Sequence, residues 1–67
     1  MNVNKIKGKM RELGITYTTA GEALHMTAST FSNKLNGKRN SKFFINELDE
    51  LGNLLNLSRK ERSEFFL

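Results

Sequence analysis

The chain has 67 residues, a formal net charge of +4, no cysteine and no proline. A chain this short makes one domain and buries only about 60% of the surface its unfolded form exposes, so it has room for a single small core. Without cysteine there is no disulfide frame and no thiolate metal site, the lone His25 cannot build a metal centre, and no apolar run is long enough for a signal peptide or a membrane span.

Apolar residues recur at helical spacing with almost no alternation, which predicts an all-α fold: a compact bundle of five short helices over residues 1–67. The first helix is predicted over residues 4–13. Val3, Ile6, Met10 and Leu13 fall on one stripe, Lys5, Lys7, Lys9 and Arg11 lie off it, and Gly14 is the stop. The second begins at Thr16, a cap, with Ala20, Ala23 and Leu24 facing inward. Gly21 sits inside this helix, where glycine costs about 1 kcal/mol relative to alanine, and close approach of the next helix is the reason expected for it. His25-Met26-Thr27 forms a turn, with Met26 filling the gap between helices and Thr27 capping a third helix over residues 28–35. Phe31 and Leu35 point that helix to the core, and Asn36-Gly37 ends it. A fourth helix is predicted from residue 42 or 43 to 56, capped by Ser41, with Phe44, Leu48, Leu51 and Leu55 on its buried stripe, Ile45 and Leu54 widening it, and Gly52 at a break or a tight crossing. The fifth opens with the capping box Ser58-Arg59-Lys60-Glu61 and closes on Phe65-Phe66-Leu67.

The surface of the third helix carries the functional signal. Burying Phe31 and Leu35 leaves Thr27, Ala28, Ser29, Ser32, Asn33 and Asn36 outside, all short and none acidic. Such a helix can enter a groove about 12 Å wide, where asparagine pairs with adenine and serine bonds several base edges. Ala28 and the Thr30 methyl suit a thymine methyl. Tyr17, Lys34, Asn36, Lys38, Arg39 and Lys42 form the phosphate-binding ring expected around it. Charge placement agrees: residues 1–42 hold eight basic residues against Glu12 and Glu22, whereas residues 43–67 hold three against five acids. A basic front and an acidic back suit an oriented contact with a polyanion.

Residues 15–40 resemble the helix-turn-helix segment of the Cro and phage-repressor family. The likeness lies in the paired helices, Gly21, the tight turn and the string Phe31-Ser32-Asn33-Lys34-Leu35-Asn36-Gly37-Lys38. The resemblance implies a lambda-repressor-like DNA-binding domain with its motif over about 16–37 and base reading by Thr27, Ala28, Ser29, Ser32 and Asn33. It further implies a phosphate contact by Tyr17, which stands where the family has glutamine. His25 replaces the usual turn glycine and Ala20 a larger aliphatic residue.

The reading is therefore a sequence-specific double-stranded DNA-binding transcriptional regulator, a Cro-like repressor working in the cytoplasm of a bacterial or phage-infected cell. No cofactor, small-molecule ligand or membrane partner is expected. A weak homodimer is expected through residues 58–67, with Phe65, Phe66 and Leu67 at its interface, unless these phenylalanines complete the core instead. Two alternatives stand beside it: a small helical module that binds another regulator, and the DNA-binding domain of a longer repressor. An enzyme is not expected, since there is no second histidine, no nucleophilic cysteine, no glycine-rich phosphate loop and no paired carboxylate in an apolar setting.

Overall fold

A computed structural model describes residues 1–67. It holds five α-helices and no strand: α1 (Val3–Leu13), α2 (Tyr17–Ala23), α3 (Ala28–Asn36), α4 (Ile45–Leu54) and α5 (Arg59–Phe66), with a 3₁₀ turn at Lys38–Asn40 after α3. No helix is long and apolar enough to cross a membrane.

Side-chain caps set most of the boundaries. The hydroxyls of Thr16, Thr27 and Ser58 and the side-chain oxygen of Asn2 each accept a hydrogen bond from the backbone amide three residues on, at 3.1 Å in every case. Each such bond satisfies one of the four amides a helix start leaves without a partner. Glu61 completes the box by accepting from the Ser58 amide at 2.9 Å. That amide bond, with help from the Ser58 hydroxyl and Lys9, outweighs desolvation and holds the Glu61 carboxyl below its ordinary value. At the other ends, Gly14 (φ 70°) and Gly37 (φ 67°) close α1 and α3 in the left-handed conformation that glycine adopts without a steric penalty.

Ten buried side chains make one core: Ile6 and Met10 of α1, Ala20 of α2 with Leu24 just after it, Phe31 and Leu35 of α3, Leu51 of α4 followed by Leu55 and Leu57, and Phe65 of α5. Phe31 is its centre, fully buried, with the Tyr17 ring edge-on at 5.5 Å and the Phe43 ring at 5.4 Å. The chain ends are tied together where the Asn2 amide donates to the Phe65 carbonyl at 2.7 Å and Lys5 pairs with Glu64 at 3.6 Å.

The fourth helix departs from its sequence reading. It begins at Ile45, not at residue 42 or 43, and Ser41 closes the preceding 3₁₀ turn instead of capping this helix. Residue 44 is the N-cap, and the bond there comes from the other direction: the Glu47 carboxylate accepts from the Phe44 amide at 2.9 Å. Phe44 and Ile45, expected in the core, are 66% and 82% exposed. Phe43 takes the core place on Phe31, and two bulky neighbours at the start of a helix cannot share one face. The helix stops at Leu54, and Asn56, at φ 54°, ends the turn. Leu13, expected on the α1 stripe, is half exposed.

Candidate functional site

Two helices joined by a tight bend position α3. The bend runs from Leu24 to Thr27, and its closeness depends on Gly21. A Cβ there would lie 2.7 Å from the Met26 carbonyl oxygen and 3.0 Å from the Thr27 carbonyl. Those are backbone atoms that cannot rotate away, so only glycine lets α2 touch the residues that start α3. His25 takes the left-handed conformation at φ 61° that the turn requires. Met26 is half-buried against the core beside it.

Phe31 and Leu35 anchor α3 by one side. The opposite side carries Ser29, Thr30 and Asn36 exposed, with Ser32 and Asn33 half exposed. No buried side-chain nitrogen or oxygen lacks a partner, and the side chains of Ser29 and Asn33 bond to nothing in the protein, so their polar atoms reach solvent. Ala28 is half-buried. Thr27 is placed at the helix start, but its hydroxyl is occupied: it accepts from the Thr30 amide and donates to the Thr30 hydroxyl at 3.0 Å. Asn36 is turned back on its own helix, its amide donating to the Ser32 carbonyl at 2.9 Å.

The basic ring separates into free and neutralised members. Lys38, Arg39 and Lys42 are exposed on the loop after α3 and make no ion pair. Arg39 and Asn40 hold left-handed backbones, at φ 55° and 58°. Lys34 does not belong to the ring. Its ammonium sits 2.8 Å and 3.0 Å from the two Glu47 oxygens and 4.5 Å from the centre of the Phe44 ring, with both charged side chains mostly buried. Burial pushes the Glu47 carboxyl up, but the Lys34 hydrogen bond, the Phe44 amide and the Lys34 charge together hold it below its ordinary value. A lysine already compensated in this way has no free charge for a phosphate. The pair instead clamps the end of α3 to the start of α4.

Tyr17 packs its ring on Phe31 and lines a shallow hollow with Lys7, Met10, Arg11 and Ile15. The helical pattern places Lys7 and Arg11 only on the outer face of α1. Neither is in an ion pair, no acid lines the hollow, and both lie at the start of α2 beside Tyr17. Their i, i+4 spacing, which puts two bases on one helix face without an acid between them, was the available signal.

The carboxyl-terminal residues part company. Phe65 is 8% exposed and belongs to the core, so it is not an interface residue. Phe66 is half-buried and Leu67 is 91% exposed. No family model, no curated protein and no solved structure matches this chain.

Proposed function

We propose that the chain is a sequence-specific double-stranded DNA-binding transcriptional regulator of the Cro and phage-repressor kind, with α3 as its recognition helix. The observation that carries this reading is the outward face of α3. It offers serine, threonine and asparagine groups with no acid among them, on a helix held rigidly from behind by Phe31 and Leu35. At nine residues the helix is about 13 Å long, and its short side chains let the backbone lie deep in a major groove.

In this arrangement Ser29, Ser32 and Asn33 read base edges, and Ala28 and Thr30 offer methyl contacts. Thr27 orders the helix start through its cap instead of reading a base. Lys38, Arg39 and Lys42 bind phosphates at one end of α3, and Lys7, Arg11 and the Tyr17 hydroxyl bind them at the start of α2. Phosphate contacts set register and most of the affinity, while base contacts choose the sequence. Occupying a promoter-proximal site excludes polymerase, which makes the regulator a repressor. Enrichment of bound duplexes from a random pool, followed by affinity measurements across salt, tests the proposal. A single enriched motif bound with a steep salt dependence supports it. No enriched motif, or binding indifferent to salt, overturns it.

A further inference from the structure

Asn36 and Gly37 close α3, and they carry a chemistry that the fold leaves open. Asn36 is followed by glycine, whereas every other asparagine of the chain precedes a residue with a Cβ. Asn36 is exposed, and a Cβ built on Gly37 would meet nothing within 4 Å, so the junction stands in open space. The Asn36 side-chain amide donates to the Ser32 carbonyl at 2.9 Å, and the Gly37 backbone amide donates to the Asn33 carbonyl. Both bonds belong to the last turn of α3, and helix ends fray while the rest of the fold stays closed. The surroundings are basic. Lys38 and Arg39 follow the junction, exposed and unpaired, and the cleft that Asn36 and Gly37 border is lined by Lys42 and by Lys34, which Glu47 compensates, with no acid in its wall.

From this we infer that the Asn36–Gly37 junction is a site of spontaneous deamidation, which converts a neutral amide at the end of α3 into a carboxylate. Opening of the last turn frees both nitrogens. Hydroxide removes the proton from the Gly37 backbone nitrogen, and the nearby cations stabilise the anion left behind. That nitrogen attacks the Asn36 side-chain carbonyl carbon, and the absence of a Cβ on Gly37 leaves its path clear. A new carbon–nitrogen bond forms, the bond from the same carbon to Nδ2 breaks, and ammonia leaves with a proton taken from water. The product is a cyclic imide. Water then opens it at either carbonyl, giving aspartate at position 36 or an isoaspartyl link in which the chain runs through the former side chain. Either form adds a negative charge at the C-terminal end of α3, where the helix dipole is already negative. The charge offsets one of the cations of Lys38, Arg39 and Lys42, and the isoaspartyl form also lengthens the backbone between α3 and this loop. The loss of duplex affinity that follows rests on the DNA-binding reading, whereas the modification itself does not. A bound duplex holds the last turn closed, so free protein ages and bound protein persists.

Ageing the purified chain in mildly alkaline solution, without DNA, tests the site by mass spectrometry. Cleavage after Glu22 and Glu47, carried out in mild acid, releases the segment that holds Asn36, and fragmentation locates the gain in mass. Asn36 should be the first asparagine of the folded chain to convert, and faster as pH rises. Asn36→Gln should abolish the signal at this position. An Asn36 that stays intact in the folded chain while it converts in urea, or another asparagine that converts first, would overturn the inference. On duplexes, the aged wild type should lose affinity for every sequence, with the slope of log K against log salt lowered by about 1. Asn36→Asp should show both effects when fresh, and Asn36→Gln should keep its starting affinity through the same ageing. Saturation with the enriched duplex should slow conversion, and equal rates free and bound would overturn the protection. A chain that deamidates at Asn36 but binds no duplex at any age removes the DNA-binding reading and leaves the modification site standing. A chain that binds an enriched duplex but never deamidates there does the reverse.

Discussion

The carbonyl oxygen of Met26 stands 2.7 Å from the place a Cβ would occupy on Gly21. Through this contact α2 and the start of α3 are set against each other, and a single methyl group disturbs it. Gly21→Ala gains about 1 kcal/mol of intrinsic helix propensity but must move backbone, and overpacking of this kind costs about 1–3 kcal/mol. We expect a net loss of stability by thermal or chemical unfolding. Gly8→Ala is the control. Gly8 is inside α1 with nothing within 4 Å of its Cβ position, so the same exchange should stabilise by about 0.5–1 kcal/mol. Equal effects at the two positions would contradict the close-approach account.

Arg39 should trade stability against binding. Its left-handed backbone is strained for a residue with a Cβ, by about 1 kcal/mol or more. Arg39→Gly relieves the strain and removes the charge. The variant should melt higher, bind every duplex more weakly, and lower the slope of log K against log salt by about 1. His25→Gly relieves a similar strain in the turn, at φ 61°, and should raise stability while leaving the salt slope unchanged.

Acid should loosen the seam between α3 and α4. The Glu47 carboxyl titrates below its ordinary value of 4.5 in the folded protein, so its charged form is favoured by folding. Its contribution is complete above that ordinary value and is lost as pH falls through the lowered folded value. Glu47→Gln should therefore destabilise by about 1 kcal/mol near neutral pH, and the difference from wild type should shrink as the solution is taken below pH 4.5. Urea unfolding at a series of pH values measures it. A difference that stays constant across that range would show that the Lys34 pair does not contribute.

Most of the fold was legible because its signals are local. Thr16, Thr27 and Ser58 cap helices, and Gly14 and Gly37 stop them, by rules that involve only a few neighbouring residues. The beginning of α4 was not legible. Phe43, Phe44 and Ile45 are adjacent and equally apolar, and periodicity does not say which of them the core has room for. Phe43 won because its ring reaches Phe31, and Leu57 entered the core from a turn that has no period at all. The Lys34–Glu47 pair was missed for a related reason. The two residues are thirteen apart in sequence and meet only because the loop between them folds α4 back on α3. On the candidate site, Thr27, Ser29 and Asn36 lie exposed where the sequence reading puts them and Ala28, Ser32 and Asn33 are half-buried, but periodicity does not say which of these groups are already occupied. Thr27, Lys34 and Asn36 each spend their polar atoms inside the protein, and that depends on side-chain geometry.

The outward asparagine of α3 bears most directly on the central claim. The Asn33 side chain makes no hydrogen bond within the protein, so Asn33→Ala should fold as well as wild type, with an unchanged melting temperature. Its affinity should be measured by fluorescence anisotropy on the duplex enriched from a random pool and on an unrelated duplex of equal length, at the same salt. The account predicts a loss of about 1–3 kcal/mol on the enriched duplex, with relaxed choice at one base pair, and no change on the unrelated one. Equal losses on both duplexes, or no loss on either, would contradict it.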